Sequence, residues 1–332
     1  MTAATQGTEN AENRDPFQRD DSSLHAELGS SLWRDAWVRM GKNKVAIVSL
    51  ILFVITCLLC FGFAWLCKDP IQQDLTNKFA SPSGEHWLGT DAMGRDLFSR
   101  ILYGGQVSIL VGLVATFVAV TIGVAYGAIS GFYGGRVDAL MMRTVDTLLS
   151  IPFLMVVIVL QAVLSEWSGN ASKWIVDTWG WSKEFTNRAT NVLPLFFALG
   201  LFGWLTLARI VRAQVLSLKE REFVEAATSL GLSKLRVLFR HIIPNTLGPT
   251  VVYATLTVPG FIMYEATLSY LGLGVESPNS SWGILIKEGA NYLETNPQLL
   301  ILPGIFFTLT LFALNFLGDG LRDALDPKAS KD

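Results

Sequence analysis

Six long apolar runs dominate this chain and restrict what it can fold into. Val45 to Leu66, Val107 to Ser130, Thr147 to Ser165, Asn191 to Ala208 and Gln298 to Gly318 carry no charged residue, and Thr246 to Leu273 carries one, Glu265. A helix needs about 20 apolar residues to cross a bilayer core, where no water is available to pair with an exposed backbone amide. The runs therefore predict an all-α membrane protein with six transmembrane helices. Composition agrees: of 332 residues 51% are hydrophobic and 16% charged, against about 25% charged in soluble domains.

Several functions are excluded by what the chain lacks. A net charge of -2 provides no basic field for nucleic acid. Cys57, Cys60 and Cys67 are the only cysteines, and Cys57-x-x-Cys60 has no second Cys/His pair, so packing thiols are expected rather than a metal site. His25, His86 and His241 form no HExxH pair, and neither a Gly-x-Ser-x-Gly elbow nor a Walker-type phosphate loop occurs. No catalytic residue, metal or cofactor is expected, and ATP is not bound through a phosphate loop of this chain.

The basic residues set an orientation. With the polar N-terminal segment inside, Arg34, Arg39, Lys42, Lys44, Arg136, Arg143, the cluster from Arg209 to Arg240, and Arg322, Lys328 and Lys331 all lie on the cytoplasmic side, as the positive-inside rule requires. Both termini are then cytoplasmic. The segments divide as 1–44 N-terminal, 45–66 first anchor, 67–106 external with a short helix, 107–318 core and 319–332 C-terminal tail. Within the core lie a cytoplasmic loop at about 212–244 and a long external loop at 165–191 bearing Trp167, Trp174, Trp179 and Trp181. Gly123, Gly127 and Gly131 recur every fourth residue, a face suited to close helix packing within the bundle or across a subunit contact. Pro152, Pro249 and Pro259 are expected to kink their helices.

The stretch "EFVEAATSLGLSKLRVLFRHIIPN", Glu222 to Asn245, is amphipathic and basic, yet lies between two membrane runs. Phe223, Ala226, Ala227 and Leu230 form one helical face, Gly231 suits a left-handed cap, Ser233 can cap a second helix, and Leu235, Leu238, Phe239 and Ile242 form its face. A DNA-reading helix pair or a plain connector would give alternative accounts. The flanking spans and the cost of leaving two apolar faces uncovered favour a partner protein.

Glu225-Ala226-Ala227, then Gly231, then Pro244 resemble the EAA loop of ATP-binding-cassette importer permeases, and His241 and Ile243 depart toward the peptide-importer branch. "SLWRDAWVRMGKNKVAIVSLIL", "HWLGTDAMGRDLFSRILYGGQVS", "SYLGLGVESPNSSWG" and "NFLGDGLRDALDP" resemble further hallmarks of the C-type permease of dipeptide and oligopeptide importers. The resemblance implies the type I importer permease fold with a coupling helix pair between spans four and five. It also implies four kinds of protein partner or cargo: a second, B-type permease, two ATPase subunits, an extracytoplasmic binding protein and a peptide substrate. A nickel, glutathione or other small-solute permease of the same family, or a stand-alone secondary transporter, would be the alternatives.

On that resemblance Glu225, Ala226, Ala227, Gly231, Arg236, Arg240, His241 and Pro244 form the ATPase-coupling site. Arg236 and Arg240 also read as positive-inside anchors. Glu265, Ser281 and Trp282 are the candidates for the translocation path or its gate, since an intramembrane carboxylate is costly; a structural hydrogen bond is the competing account of Glu265. Two local pairings are expected without chemistry: a surface helix capped by Thr90 with Asp91 and Arg95 one turn apart, and an Arg143–Asp146 ion pair.

Overall fold

The computed structural model describes residues 32–275 and 279–325. The rest of the N-terminal segment, the end of the tail, and Glu276, Ser277 and Pro278 of the stretch "SYLGLGVESPNSSWG" lie outside the described residues. A short helix α1, Leu32–Met40, precedes α2, Lys44–Cys57, which ends in a π turn, Leu58–Gly62, and a 3-10 turn, Phe63–Leu66. The Asn43 side chain accepts from the amides of Val45 and Ala46 at 3.0 and 3.2 Å and so fixes where α2 starts. Among the described residues six helical segments are long and apolar enough to cross a membrane, as the hydropathy pattern predicts.

The second span, α3, runs from Leu97 to Tyr133, 37 residues or about 55 Å, well beyond the expected Val107–Ser130. Its first turn is capped by Asp96, whose carboxylate accepts from the Ser99 amide at 2.8 Å. No separate helix starts at Asp91: residues 91–96 form a tight loop closed by a single bridge between Thr90 and Asp96.

A separate helix precedes the third crossing. Helix α4, Gly135–Leu149, stops, and α5, Phe153–Trp179, begins after Pro152, because proline lacks the amide that would continue the ladder and disfavours helical backbone at Ile151. Thr147–Ser165 is therefore two helices rather than one kinked span. The expected external loop at 165–191 is mostly helical: α5 continues through it and α6, Lys183–Thr190, folds back. Ser168 donates to the Thr190 carbonyl at 2.5 Å and Ser172 to the Asn187 side chain at 2.6 Å, while Trp167, Trp174, Trp179 and Trp181 stay exposed.

Helix α7, Leu193–Lys219, runs parallel to α3. The Gly123–Gly127–Gly131 face is spent here, inside the chain. A Cβ at Gly123 would lie 2.9 Å from Leu207 Cβ, and one at Gly131 2.9 Å from the Arg212 carbonyl, so only glycine allows this approach. Polar ties reinforce the packing. Asp138 of α4 accepts from Arg212 of α7 at 2.5 Å and from Ser130 of α3 at 2.6 Å, and the Arg212 hydrogen bond holds the Asp138 carboxyl below the usual carboxylate range. Asp146 pairs with Arg209 of α7 instead of Arg143, because α4 turns that face toward α7 rather than along its own surface.

After α7 come α8, Glu222–Ser229, and α9, Lys234–Val237, which passes through a π turn, Leu238–Ile242, into α10, Ile243–Tyr270. Pro249 and Pro259 lie inside α10. A short helix α11, Trp282–Ala290, and the last span α12, Gln298–Leu325, complete the described residues. Residues 319–325 of the expected tail thus belong to α12.

Candidate functional site

The α8–α9 pair is a built turn. Helix α8 ends in Gly231 at φ +78°, with the Gly231 amide donating to the Thr228 carbonyl at 3.0 Å and the Leu232 amide to the Ala227 carbonyl at 3.3 Å. These two bonds make a Schellman cap, in which the left-handed residue closes the helix end. Ser233 stands at the N-cap position of α9 but makes no side-chain capping bond.

The inner face of the pair differs from the expected one. Val224, Ala227, Val237, Leu238 and Ile242 are buried against Ala128 and Phe132 of α3 and Leu207, Val211 and Val215 of α7. Lys219 secures the same junction by donating to the Phe132 carbonyl at 2.8 Å. Of the predicted faces only Ala227, Leu238 and Ile242 point inward. Phe223, Ala226, Leu230, Leu235 and Phe239 remain outside, Leu230 at 82% and Phe239 at 65% exposure. Glu225, Gly231 and Arg236 are exposed on the same pair, as are Arg240 in the π turn and Pro244 at the start of α10, and His241 of the π turn is partly so. The result is an apolar knob flanked by charge, with Ala227 as its footing rather than its surface.

At the opposite end the chain builds a node that sequence reading missed. Arg100 of α3, 2% exposed, donates to Asp91 at 2.7 Å and to Glu288 of α11 at 2.6 Å. Arg95 reaches the same two carboxylates, Asp91 at 2.6 Å and Glu288 at 3.3 Å. The expected Asp91–Arg95 pairing exists, but in a buried loop instead of a surface helix. Beside it His86 lies 2.9 Å from the Asp96 carboxylate. Two segments far apart in the chain, residues 86–100 and α11, are thereby clamped together.

Glu265, Ser281 and Trp282 meet in the interior, each with 0% exposure. The Trp282 amide donates to Ser108 at 3.2 Å, and Ser108 donates to Glu265 at 2.8 Å. On the other side the Ile284 amide donates to Ser281, Ser281 to Ser269 and Ser269 to Glu265, at 3.2, 3.4 and 2.7 Å. Two donor chains thus end on one carboxylate, which satisfies the first amides of α11 deep in the protein. The Trp282 ring nitrogen donates to the Ile101 carbonyl at 3.0 Å. All three side chains are spent on this internal network rather than on an exposed surface of the chain.

Comparison with known proteins agrees with this architecture. Residues 123–331 match the family model described as "Binding-protein-dependent transport system inner membrane component". Residues 31–82 match "N-terminal TM domain of oligopeptide transport permease C". The chain is 45% identical to the oligopeptide transport system permease protein OppC of Haemophilus influenzae, over 90% of each chain. It is 42% identical to OppC of Escherichia coli K12, over 95% of this chain and 97% of that one. To the dipeptide transport system permease protein DppC of Bacillus subtilis it is 38% identical, over 95% of this chain and 91% of that one. This chain belongs to the family of binding-protein-dependent transport system inner membrane components: it is a multi-pass subunit of a transporter and not itself a catalyst.

Proposed function

We propose that this chain is the C-type permease subunit of an ATP-driven importer for di- or oligopeptides, with the type I importer fold and both termini in the cytoplasm. It works beside a second, B-type permease, two ATPase subunits and an external binding protein. The exposed knob around Gly231 carries the reading. A chain that spans the bilayer has no reason to leave Leu230 and Phe239 in water unless a partner covers them. Glu225, Arg236 and Arg240 flank that apolar centre with groups able to make charge-assisted hydrogen bonds to an ATPase groove. Ala226 lets the backbone seat closely. Relatives from Haemophilus, Escherichia and Bacillus that carry oligopeptide and dipeptide transport names support the cargo class.

The test is ATP hydrolysis by the complex reconstituted in lipid. Peptide-loaded binding protein is expected to stimulate hydrolysis only when this chain is present. Stimulation by a nickel chelate or glutathione, with none by peptides, would move the cargo to another solute.

In this reading Glu265 holds α11 in place and does not touch peptide. Glu265→Gln is expected to cost about 1–3 kcal/mol, because an amide cannot accept two donor chains at both of its atoms. It should appear as a lower melting temperature, with the uptake ratio of cationic to anionic peptides unchanged. A shift in that ratio would show that the carboxylate meets cargo.

A further inference from the structure

The break between α4 and α5 opens onto a recess of about 540 Å³ whose other walls are the middle stretches of α7 and α10. That volume falls within the ~300–1,000 Å³ typical of small-ligand sites. Among the described residues its lining carries no charge. Thr206, Tyr253 and Tyr264 line it beside Phe153 and Phe202, while the Ser150 and Thr257 hydroxyls on its wall donate to the Thr147 and Tyr253 carbonyls at 2.6 and 2.7 Å and keep only acceptor capacity. Ser150 to Pro152, the non-helical stretch between α4 and α5, are exposed at this wall.

Two further observations describe the space. Behind it a void of about 10 Å³ shares Gly203, Tyr253 and Thr257 with the recess. Among the described residues the buried Thr116 hydroxyl on that void has no hydrogen-bond partner, so a polar group is left open toward that space. Gly260 faces the recess, and a Cβ built there would meet nothing within 4 Å. At Gly203, by contrast, a Cβ would run into the Phe261 ring. Gly203 therefore serves packing, whereas the missing side chain at Gly260 leaves open space.

We propose that this recess is the chain's cargo-contacting surface and that Gly260, with Tyr253 and Tyr264, limits the side-chain bulk it passes. The inference rests on the importer reading and deepens it. Hydroxyls without charges pair with peptide amides, which every cargo has, and penalise neither acidic nor basic side chains. Aromatic rings offer contact to apolar side chains, and the Phe153–Tyr264 pair, with centroids 4.4 Å apart, lines the recess. Hydrophobic pockets discriminate by volume only modestly, which suits a path that must serve many sequences.

The experiment uses the whole complex in vesicles with its binding protein. Tripeptides bearing Ala or Trp at the centre are supplied, and uptake is compared for wild type and Gly260→Leu. The Trp-to-Ala uptake ratio is expected to fall about tenfold in the variant; an unchanged ratio overturns the proposal. Gly260→Cys supplies a measurement that does not depend on transport. A membrane-impermeant thiol reagent should modify it above the background of Cys57, Cys60 and Cys67, and more slowly with peptide-loaded binding protein and ATP. Failure to react in any state would show that a helix of the second permease or lipid fills the recess, and would sink the idea. If the wild-type complex moves neither tripeptide, the peptide assignment falls instead, and Gly260→Cys labelling still decides whether the recess is open to water.

Discussion

A chain carrying Gly231→Pro is expected to enter the membrane normally and to bind its ATPase at least a hundredfold more weakly. Gly231 holds φ +78°, which the proline ring cannot reach, and its amide donates to Thr228 at 3.0 Å, a bond that proline deletes. Together these cost about 3 kcal/mol or more at the turn, enough to melt the cap that sets α8 against α9. Co-purification of the ATPase and peptide-stimulated hydrolysis would read the loss. Gly231→Ala separates the causes: its Cβ meets nothing within 4 Å, so only the left-handed strain of about 1–2 kcal/mol remains. Normal uptake by the proline variant would remove the α8–α9 turn from the coupling role.

Arg100→Met is the second large effect, at the far side of the protein. The guanidinium is 2% exposed and serves two carboxylates, so its removal leaves Asp91 buried with Arg95 as its remaining cation. Breaking a buried pair from one side costs about 3–5 kcal/mol. The purified complex should melt at a clearly lower temperature while the ATPase subunits stay attached. Adding Glu288→Gln should recover part of that loss, because one of the stranded carboxylates is then neutral. A double variant as unstable as the sum of the two single ones would show that the groups do not act as one node.

Much of this architecture is written in local pattern, and the rest is not, for identifiable reasons. The spans are legible because hydropathy is a local property. Their ends are less so: Arg100 looks like a charge outside α3 until Asp91 and Glu288, the latter 188 residues away, neutralise it. The break at Pro152 is concealed inside an uninterrupted apolar run, where one proline reads equally as a kink or a stop. Ser168 and Ser172 make the 165–191 segment look like a loop, although packing on α6 satisfies them within a helix.

The α8–α9 residues show the same division. Gly231 is readable as a left-handed cap from its place after a short amphipathic stretch. Which apolar residues face inward is not, because both sides of so short a helix are apolar, and contact with α3 and α7 chooses Val224 over Phe223. Glu265 stands out as the one acid in its run, yet its partner Ser108 lies 157 positions away. Whether it meets cargo or protein is therefore decided only in three dimensions.

The 37 residues of α3 form one continuous rod from the clamp at Arg100 to the carbonyl of Phe132 that Lys219 grips. With α7 locked along it by glycine contacts, the pair cannot bend independently. A tilt of roughly 5° about the inner end of a rod about 55 Å long displaces the outer end by roughly 5 Å. The geometry is that of a lever, in which a rotation too small to disturb the packing beside α8 would be multiplied along the length of the rod.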